Sequence, residues 1–306
     1  MRPSPRLGTR GSPLAMIQAR KVAAALEVAE RWPAGQVEIR PITTSGDRIA
    51  DRPLADVGGK GLWTKELDQA LIDGEIDFTV HSMKDVEVIR PAEIRLAAIR
   101  PRLHVEDKLI GAASLDELKE GAVVGTSSPR RAAQILAARP DLKVVPIRGN
   151  VETRLKKLES GEVDATILSA AGLHRLQLDH IGVVLPFDVM LPAPGQGALG
   201  IECRANDSDC MQLLKLIDDR AGRSVVMAER AFARALGGSC HSPVAALATI
   251  DRMGVQLTGE ILSADGRERI RDEASFAAGD EEAPAQLARD MLARAPQAIR
   301  KLFEAA

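Results

Sequence analysis

Three groups of residues in this 306-residue chain have the types and spacing to do chemistry. The first is His81-Ser82-Met83-Lys84-Asp85, which follows an alternation of apolar residues at Ile76, Phe78 and Val80. That alternation predicts a strand over 75–81. The motif therefore leaves a strand at its carboxyl end, where ligands of α/β sheets sit. Asp85 is either a loop cap or a carboxylate aimed at a ligand, and residue physics alone leaves the two even. The second group is Gly237-Gly238-Ser239-Cys240, a thiol on a flexible approach. A lone cysteine is usually a small buried hydrophobe. The adjacent His241 is a poor base for it, because neighbours in an extended segment point apart.

The third group is cationic. Gly125 to Lys157 holds eight Lys or Arg against two acids, in a chain of net charge −2. Arg130 and Arg131 fall in the first turn of an expected helix, Arg148 in a strand-to-helix turn, and Arg154 one turn into the next helix. Cations there oppose the helix dipole and do not serve helix stability. They fit an anion held by free backbone N–H groups and guanidinium forks. A solvated basic face is the plain alternative. Placement at loop–helix junctions favours bound carboxylates or phosphates, and Arg10-Gly11-Ser12 offers a matching site near the start of the chain. Gly58-Gly59-Lys60-Gly61 lacks the spacing of a nucleotide phosphate loop and reads as a mobile lid.

The elements that must position these groups follow an α/β grammar. Strands are expected over 6–9, 37–43, 75–81, 123–126, 142–147 and 162–168, with helices between them. Ser12-Pro13 and Ser128-Pro129 each supply an N-cap and a first-turn proline. Asp73 to Ser82 aligns with Ser160 to Ser169 through a shared Gly-Glu-x-Asp-x-Thr pattern. This predicts two α/β lobes of similar build with mainly parallel sheets, their strand ends facing a shared cleft. The expected first lobe is 1–99 rejoined by 196–217, the second is 100–195, and 218–306 forms a small α+β domain carrying Cys240. In that domain a helix over 224–236 precedes a three-strand meander with a tight turn at Asp265-Gly266, and one helix over 284–303 closes the chain.

Composition excludes several function classes. Balanced charge and scarce aromatics, with no Tyr, argue against a nucleic-acid surface. No apolar run reaches membrane-spanning length, and Met1 to Arg10 lacks the apolar core of a secretory leader. Cys203, Cys210 and Cys240 show no zinc-ligand spacing, so no metal is expected, and they suit free thiols in a reducing cytoplasm.

Seven runs in this order resemble the hydroxymethylbilane synthases (porphobilinogen deaminases) over nearly the whole chain. They are Thr9 to Ala15, Gly58 to Leu62, His81 to Val86, Gly125 to Arg131, Arg148 to Val151, Pro194 to Ala198, and Gly237 to Cys240. The resemblance implies two periplasmic-binding-protein-like lobes and a C-terminal domain. It implies an enzyme that joins four porphobilinogen units head to tail and releases ammonia, primed on a dipyrromethane held by a thioether to Cys240. Asp85 takes the catalytic position. Lys84, Ser128, Arg130 and Arg131 match cofactor-binding positions, and Arg10, Ser12, Arg148, Arg154 and Gln196 match substrate-binding ones. Lys60 and Trp63 match a lid and a ring near the site, where Phe is common. Ser239 and Pro129 stand where other residues would be equally expected. The family also implies a monomer that hands its product to a cyclising synthase. Porphobilinogen carries two carboxylates, so a six-pyrrole chain brings about a dozen negative charges, which suits the arginine concentration. Loss of ammonia leaves a cationic carbon framework that one carboxylate can stabilise, the charge-inverted form of an oxyanion hole. A non-catalytic carboxylate-binding protein would also use the arginines, but gives Cys240 and the third region no task. A cysteine acyl transferase lacks a distant histidine partner.

Overall fold

The computed structural model describes residues 4–48, 62–237 and 242–304. Residue contacts divide the chain into two compact units, 1–103 with 198–223 and 104–197 with 224–306.

Unit 1 contains β1 (Arg6–Arg10), α1 (Pro13–Glu30), β2 (Glu38–Ile42), the single turn α2 (Ser45–Arg48), α3 (Lys65–Ile72), β3 (Phe78–Ser82) and β4 (Ile94–Ile99). Later in the chain, β10 (Leu199–Arg204) and α7 (Ser208–Lys215) return to it. The sheet order is β2-β1-β3-β10-β4. β1 runs parallel to β2 and β3, while β10 runs antiparallel to β3 and β4. Leu7, Phe78, Val80 and Ile201 of the sheet pack with Ala19, Val22 and Leu26 of α1, all buried.

Unit 2 repeats the design with β5 (Asp107–Ile110), β6 (Val123–Gly125), α4 (Pro129–Ala138), β7 (Lys143–Val145), α5 (Val151–Glu159), β8 (Ala165–Ser169), α6 (Ala170–Arg175) and β9 (Val183–Val184). Its order, β7-β6-β8-β5-β9, reproduces that of unit 1 position by position: three parallel strands, one antiparallel strand (β10 or β5), and an edge strand that runs the same way as the first three. The duplicated motif has a structural task. Asp77 accepts the N–H of Arg6 at 2.8 Å, and Asp164 accepts that of Val123 at 2.7 Å. The aspartates thus pin the entry of β3 to the start of β1 and the entry of β8 to the start of β6. Gly74 and Gly161 precede them with φ of 71° and 74°, the left-handed region glycine enters without cost.

The sheets are mixed rather than mainly parallel. In unit 1 the antiparallel member β10 is a strand that comes back from the far side of unit 2 in sequence, so no crossover helix sets its direction. β4, β5 and β9 were absent from the sequence expectations because none shows clean alternation, and β5 and β9 are also short.

The C-terminal part of unit 2 comprises α8 (Arg220–Ala235), whose first turn belongs to unit 1, β11 (Val244–Asp251), β12 (Gly254–Leu262), β13 (Arg269–Phe276), α9 (Glu282–Ala293) and α10 (Gln297–Glu304). The three strands form an antiparallel meander. The expected single closing helix is two. Pro296 has no N–H to continue the ladder and instead opens α10, its carbonyl accepting from Ile299 and Arg300 at 3.0 Å. Asp265-Gly266 lies within a wider loop rather than a two-residue turn; the Ser263 N–H bonds to the Glu268 carbonyl at 2.9 Å and closes it.

The unit boundaries differ from the expected domain limits. Residues 218–223 stay with unit 1 because Asp218 accepts the Ile99 N–H at 2.7 Å and Arg223 donates to the Ala97 carbonyl at 2.7 Å. Residues 196–197 stay with unit 2 through the side chain of Gln196 and the carbonyl of Gly197, described below. By their contacts the second α/β lobe and the C-terminal region fall in one compact unit.

Candidate active site

In unit 1 the carboxyl end of β3 runs into a 3₁₀ turn, Met83–Asp85, that ends the strand and turns Asp85 outward. Met83 is buried beneath the turn, Lys84 is half-buried and Asp85 is exposed. Asp85 lines a pocket together with Arg10, Gln18, Trp63, His81 and Ser82. The Arg10 guanidinium lies 3.8 Å over the Trp63 ring and pairs with Asp47, its Nε 3.2 Å from Oδ1. Burial acts to raise the Asp47 pKa, but Arg10 and the Thr44 hydroxyl outweigh it and hold the carboxyl below its ordinary value. Gln18, buried on α1, donates to the Ser82 hydroxyl at 3.0 Å and fixes the approach to the turn. Ser12 has a local duty: its hydroxyl caps α1 by accepting the Ala15 N–H at 3.3 Å. Three of the expected residues, Arg10, Trp63 and Asp85, are therefore brought together, while Lys60 lies outside the described residues.

Beneath the pocket, His81 is buried against Thr79, Glu202 and the Arg90 network. Arg90 bridges Glu202 at 2.8 Å and Asp68 at 2.5 Å. Burial first, and then the Arg90 charge, push the His81 pKa down to about 4 despite nearby Asp68 and Glu87. A neutral histidine thus supports the strand end that carries Asp85.

In unit 2, Arg130 and Arg131 do not point out from the helix N-terminus as anion hooks. Both residues are buried, at 4% and 7% exposure, and their guanidiniums share the fully buried Asp107. Arg130 Nη2 lies 2.7 Å from one oxygen and Arg131 Nη2 2.6 Å from the other. Arg130 also donates to the Leu191 carbonyl and to Gln134, and Arg131 to the Ile167 carbonyl. Ser128 caps α4 by accepting the Arg131 N–H at 3.4 Å. Two guanidiniums on one carboxylate leave positive charge in excess, and the Nε atoms of both arginines are buried without a hydrogen-bond partner. Gln196 completes the cluster, its amide donating to Asp107 at 3.0 Å and to the Val105 carbonyl at 2.7 Å.

The Pro194-Gly195-Gln196-Gly197 run places that glutamine. Gly195 and Gly197 adopt φ of 75° and 85°. The Gly195 N–H bonds to fully buried Glu229 at 2.7 Å, and the Gly197 carbonyl accepts from Arg175 at 2.8 Å. Arg175 escaped the sequence reading because it stands alone after an apolar run. Yet it is 6% exposed, its Nε has no partner, and burial alone lowers its pKa to about 10. Such a cation is costly unless something pairs with it. Arg148 and Arg154 are half-buried at the β7–α5 junction, where Arg154 Nε donates to the Gly149 carbonyl at 3.0 Å and Asn150 caps α5. Cys203 and Cys210 are buried free thiols, and Cys240 lies outside the described residues. Among the described residues, no helix is long and apolar enough to cross a membrane.

Two family models match the chain. Residues 6–212 match "Porphobilinogen deaminase, dipyromethane cofactor binding domain", and residues 224–293 match "Porphobilinogen deaminase, C-terminal domain". The chain is 50% identical over 304 residues to a porphobilinogen deaminase of Sphingopyxis alaskensis, covering 97% of this chain and 96% of that one. It is 48% identical to one of Paracoccus denitrificans, over 95% and 94% of the two chains. Among solved structures it is similar to a periplasmic substrate-binding protein from Coxiella burnetii, with 16% identity and a TM-score of 0.42 over 74% of this chain and 96% of that one. It is likewise similar to the BvgS VFT2 domain of Bordetella pertussis, with 16% identity and a TM-score of 0.42 over 70% and 86%. With both lobes and the C-terminal region matched, the chain belongs to the porphobilinogen deaminase family.

Proposed function

We propose that the chain is a hydroxymethylbilane synthase that condenses four porphobilinogen units head to tail, releasing four ammonia molecules, and that Asp85 is its catalytic carboxylate. The observation that carries the site assignment is the pocket that gathers Asp85, Arg10 and Trp63 at one strand end. In each cycle the bond from the aminomethyl carbon to nitrogen breaks with its electrons leaving as ammonia. A bond forms from that carbon to the free α-carbon of the terminal pyrrole already in place, and that α-carbon loses its proton. Asp85 accepts the pyrrole N–H, offsets the positive charge that develops, and assists the proton transfer to the leaving amine. Arg10 exchanges or shares Asp47 for a pyrrole carboxylate, and Trp63 supplies an apolar face.

The donor set fits a dipyrromethane bearing several carboxylates. The buried Nε atoms of Arg130, Arg131 and Arg175 lack partners, and the Arg130–Arg131–Asp107 cluster carries surplus positive charge. Cys240 would hold the group by a thioether, with Lys84, Ser128, Arg130 and Arg131 around it. When bound, the group supplies the free pyrrole α-position that accepts the first substrate. Ser12, Arg148, Arg154, Arg175 and Gln196 take carboxylates of the lengthening chain, directly or by orienting the arginines, and Lys60 belongs to a lid. The enzyme works in the cytoplasm, a reading supported by its free thiols. It works as a monomer and passes its unstable linear product to a cyclising synthase.

Intact mass of the purified protein tests this. The parent should carry the mass of two pyrrole units, and Cys240→Ala should be folded, lack the adduct and be inactive. An adduct retained in Cys240→Ala, or mapped to Cys203 or Cys210, overturns the attachment. Active protein that never carries an adduct overturns the mechanism.

A further inference from the structure

We propose that His104, His174 and Asp179 form a binding site for a first-row transition-metal ion of the zinc class, separate from the residues assigned to catalysis. His104 opens unit 2, His174 lies in the last turn of α6, and Asp179 follows in the next loop. One ligand atom from each lies within 4.8 Å of the other two. The two imidazole rings are 4.8 Å apart and tilted by 56°, and His174 Nδ1 sits 2.9 Å from Asp179 Oδ1. A fourth donor stands beside them. Glu106 Oε2 is 3.9 Å from His104 Nδ1, and that oxygen is buried without a hydrogen-bond partner.

The chemistry selects the ion. Two imidazole nitrogens with one or two carboxylate oxygens suit zinc, cobalt or nickel better than calcium or magnesium, which take mostly oxygen ligands. Zinc bonds of about 2.0–2.2 Å put tetrahedral ligands about 3.3 Å apart, so the side chains must close by about 1.5 Å, within reach of rotation at an exposed site. The loop is held for this. Lys108 Nζ donates to the Asp179 carbonyl at 2.6 Å and to that of Ile181 at 3.1 Å. His174 stands at a helix C-terminus, where the partial negative charge of the last carbonyls favours a cation. His104 has a φ of 20°, an uncommon conformation for a residue with a side chain. The ion would displace the proton shared by His174 and Asp179 and tie the start of unit 2 to the helix end that carries Arg175.

The test is calorimetric titration of cofactor-loaded, chelator-treated protein with zinc chloride. One equivalent should bind. In the His104→Gln/His174→Gln double variant, affinity should fall by more than the roughly 10–100-fold typical of losing an outer partner of a metal ligand. Cobalt should give a tetrahedral visible spectrum without a thiolate charge-transfer band, and this too should vanish in the double variant. Circular dichroism and metal-free activity should match the parent. Absence of binding, equal affinity in the double variant, or a thiolate band would each overturn the proposal.

Discussion

Asp107→Asn removes one negative charge from unit 2 without changing side-chain size. Asp107 is fully buried and is the shared carboxylate of two guanidiniums whose residues are 4% and 7% exposed. The amide can accept from one arginine, but its NH₂ must then face the other arginine or the Gln196 amide, all of them donors. Breaking a buried ion pair by removing one partner costs about 3–5 kcal/mol. At roughly 2–4 °C per kcal/mol for a unit of this size, the unfolding midpoint should fall by about 6–20 °C. Scanning calorimetry on apo and cofactor-loaded protein measures it. Asp141→Asn, which breaks the exposed Arg139 pair, is the control and should barely move the midpoint. Loading should narrow the Asp107→Asn deficit, because ligand carboxylates near the arginines replace the missing charge. Replacing Asp107, Arg130 and Arg131 together by apolar residues should restore stability while abolishing cofactor uptake. A midpoint shift under about 2–4 °C, equivalent to about 1 kcal/mol, in the apo Asp107→Asn protein would show that Asp107 is not the counter-charge.

Asp85→Asn should lower kcat by on the order of 10²–10³, with Asp85→Glu retaining more activity, in single-turnover assays on protein shown by mass to carry the cofactor. Parent-like turnover of Asp85→Asn would reduce Asp85 to a loop cap. Arg175→Met should leave the midpoint of the apo protein unchanged or higher, since the guanidinium is buried with an unpartnered Nε, yet raise KM or stall elongation. A large apo destabilisation with normal kinetics would make Arg175 structural. The folded pKa of His81, about 4, lies below its unfolded value of about 6.5, so between these values the unfolded chain binds the extra proton. Stability should therefore be fully present above about pH 6.5 and decline as pH falls toward 4, and denaturant titrations of His81→Gln should show a shallower decline. An identical pH profile in the variant would remove His81 from the acid sensitivity.

The sequence by itself determined the local grammar and the identity of the chemistry-bearing residues. Ser12-Pro13 and Ser128-Pro129 begin helices as read, because an N-cap acceptor and a proline with no N–H to lose are local devices. The Gly-Glu-x-Asp repeat marked two matching lobes, since each aspartate bonds a strand entry that the same motif creates. Asp85 was legible as a strand-end acid because strand alternation locates the end. The closing helix was misread only because the apolar spacing bridges Pro296, whose missing N–H breaks the ladder.

Tertiary structure decided what each charge faces. Arg130 and Arg131 looked like outward anion hooks, and turned inward, because Asp107 comes from β5, a strand with no pattern of its own. Arg175 could not be singled out from a single cation after an apolar run; its burial and lack of a carboxylate exist only once Gly197 is folded against it. The meeting of His104 with His174 likewise depends on contacts far apart in sequence, whereas the return of β10 to the sheet of unit 1 was already legible in the strand pattern that starts at Ala198. Propensity and capping act over one turn or one strand, whereas the partner of a buried charge is chosen by whichever distant segment closes the core around it.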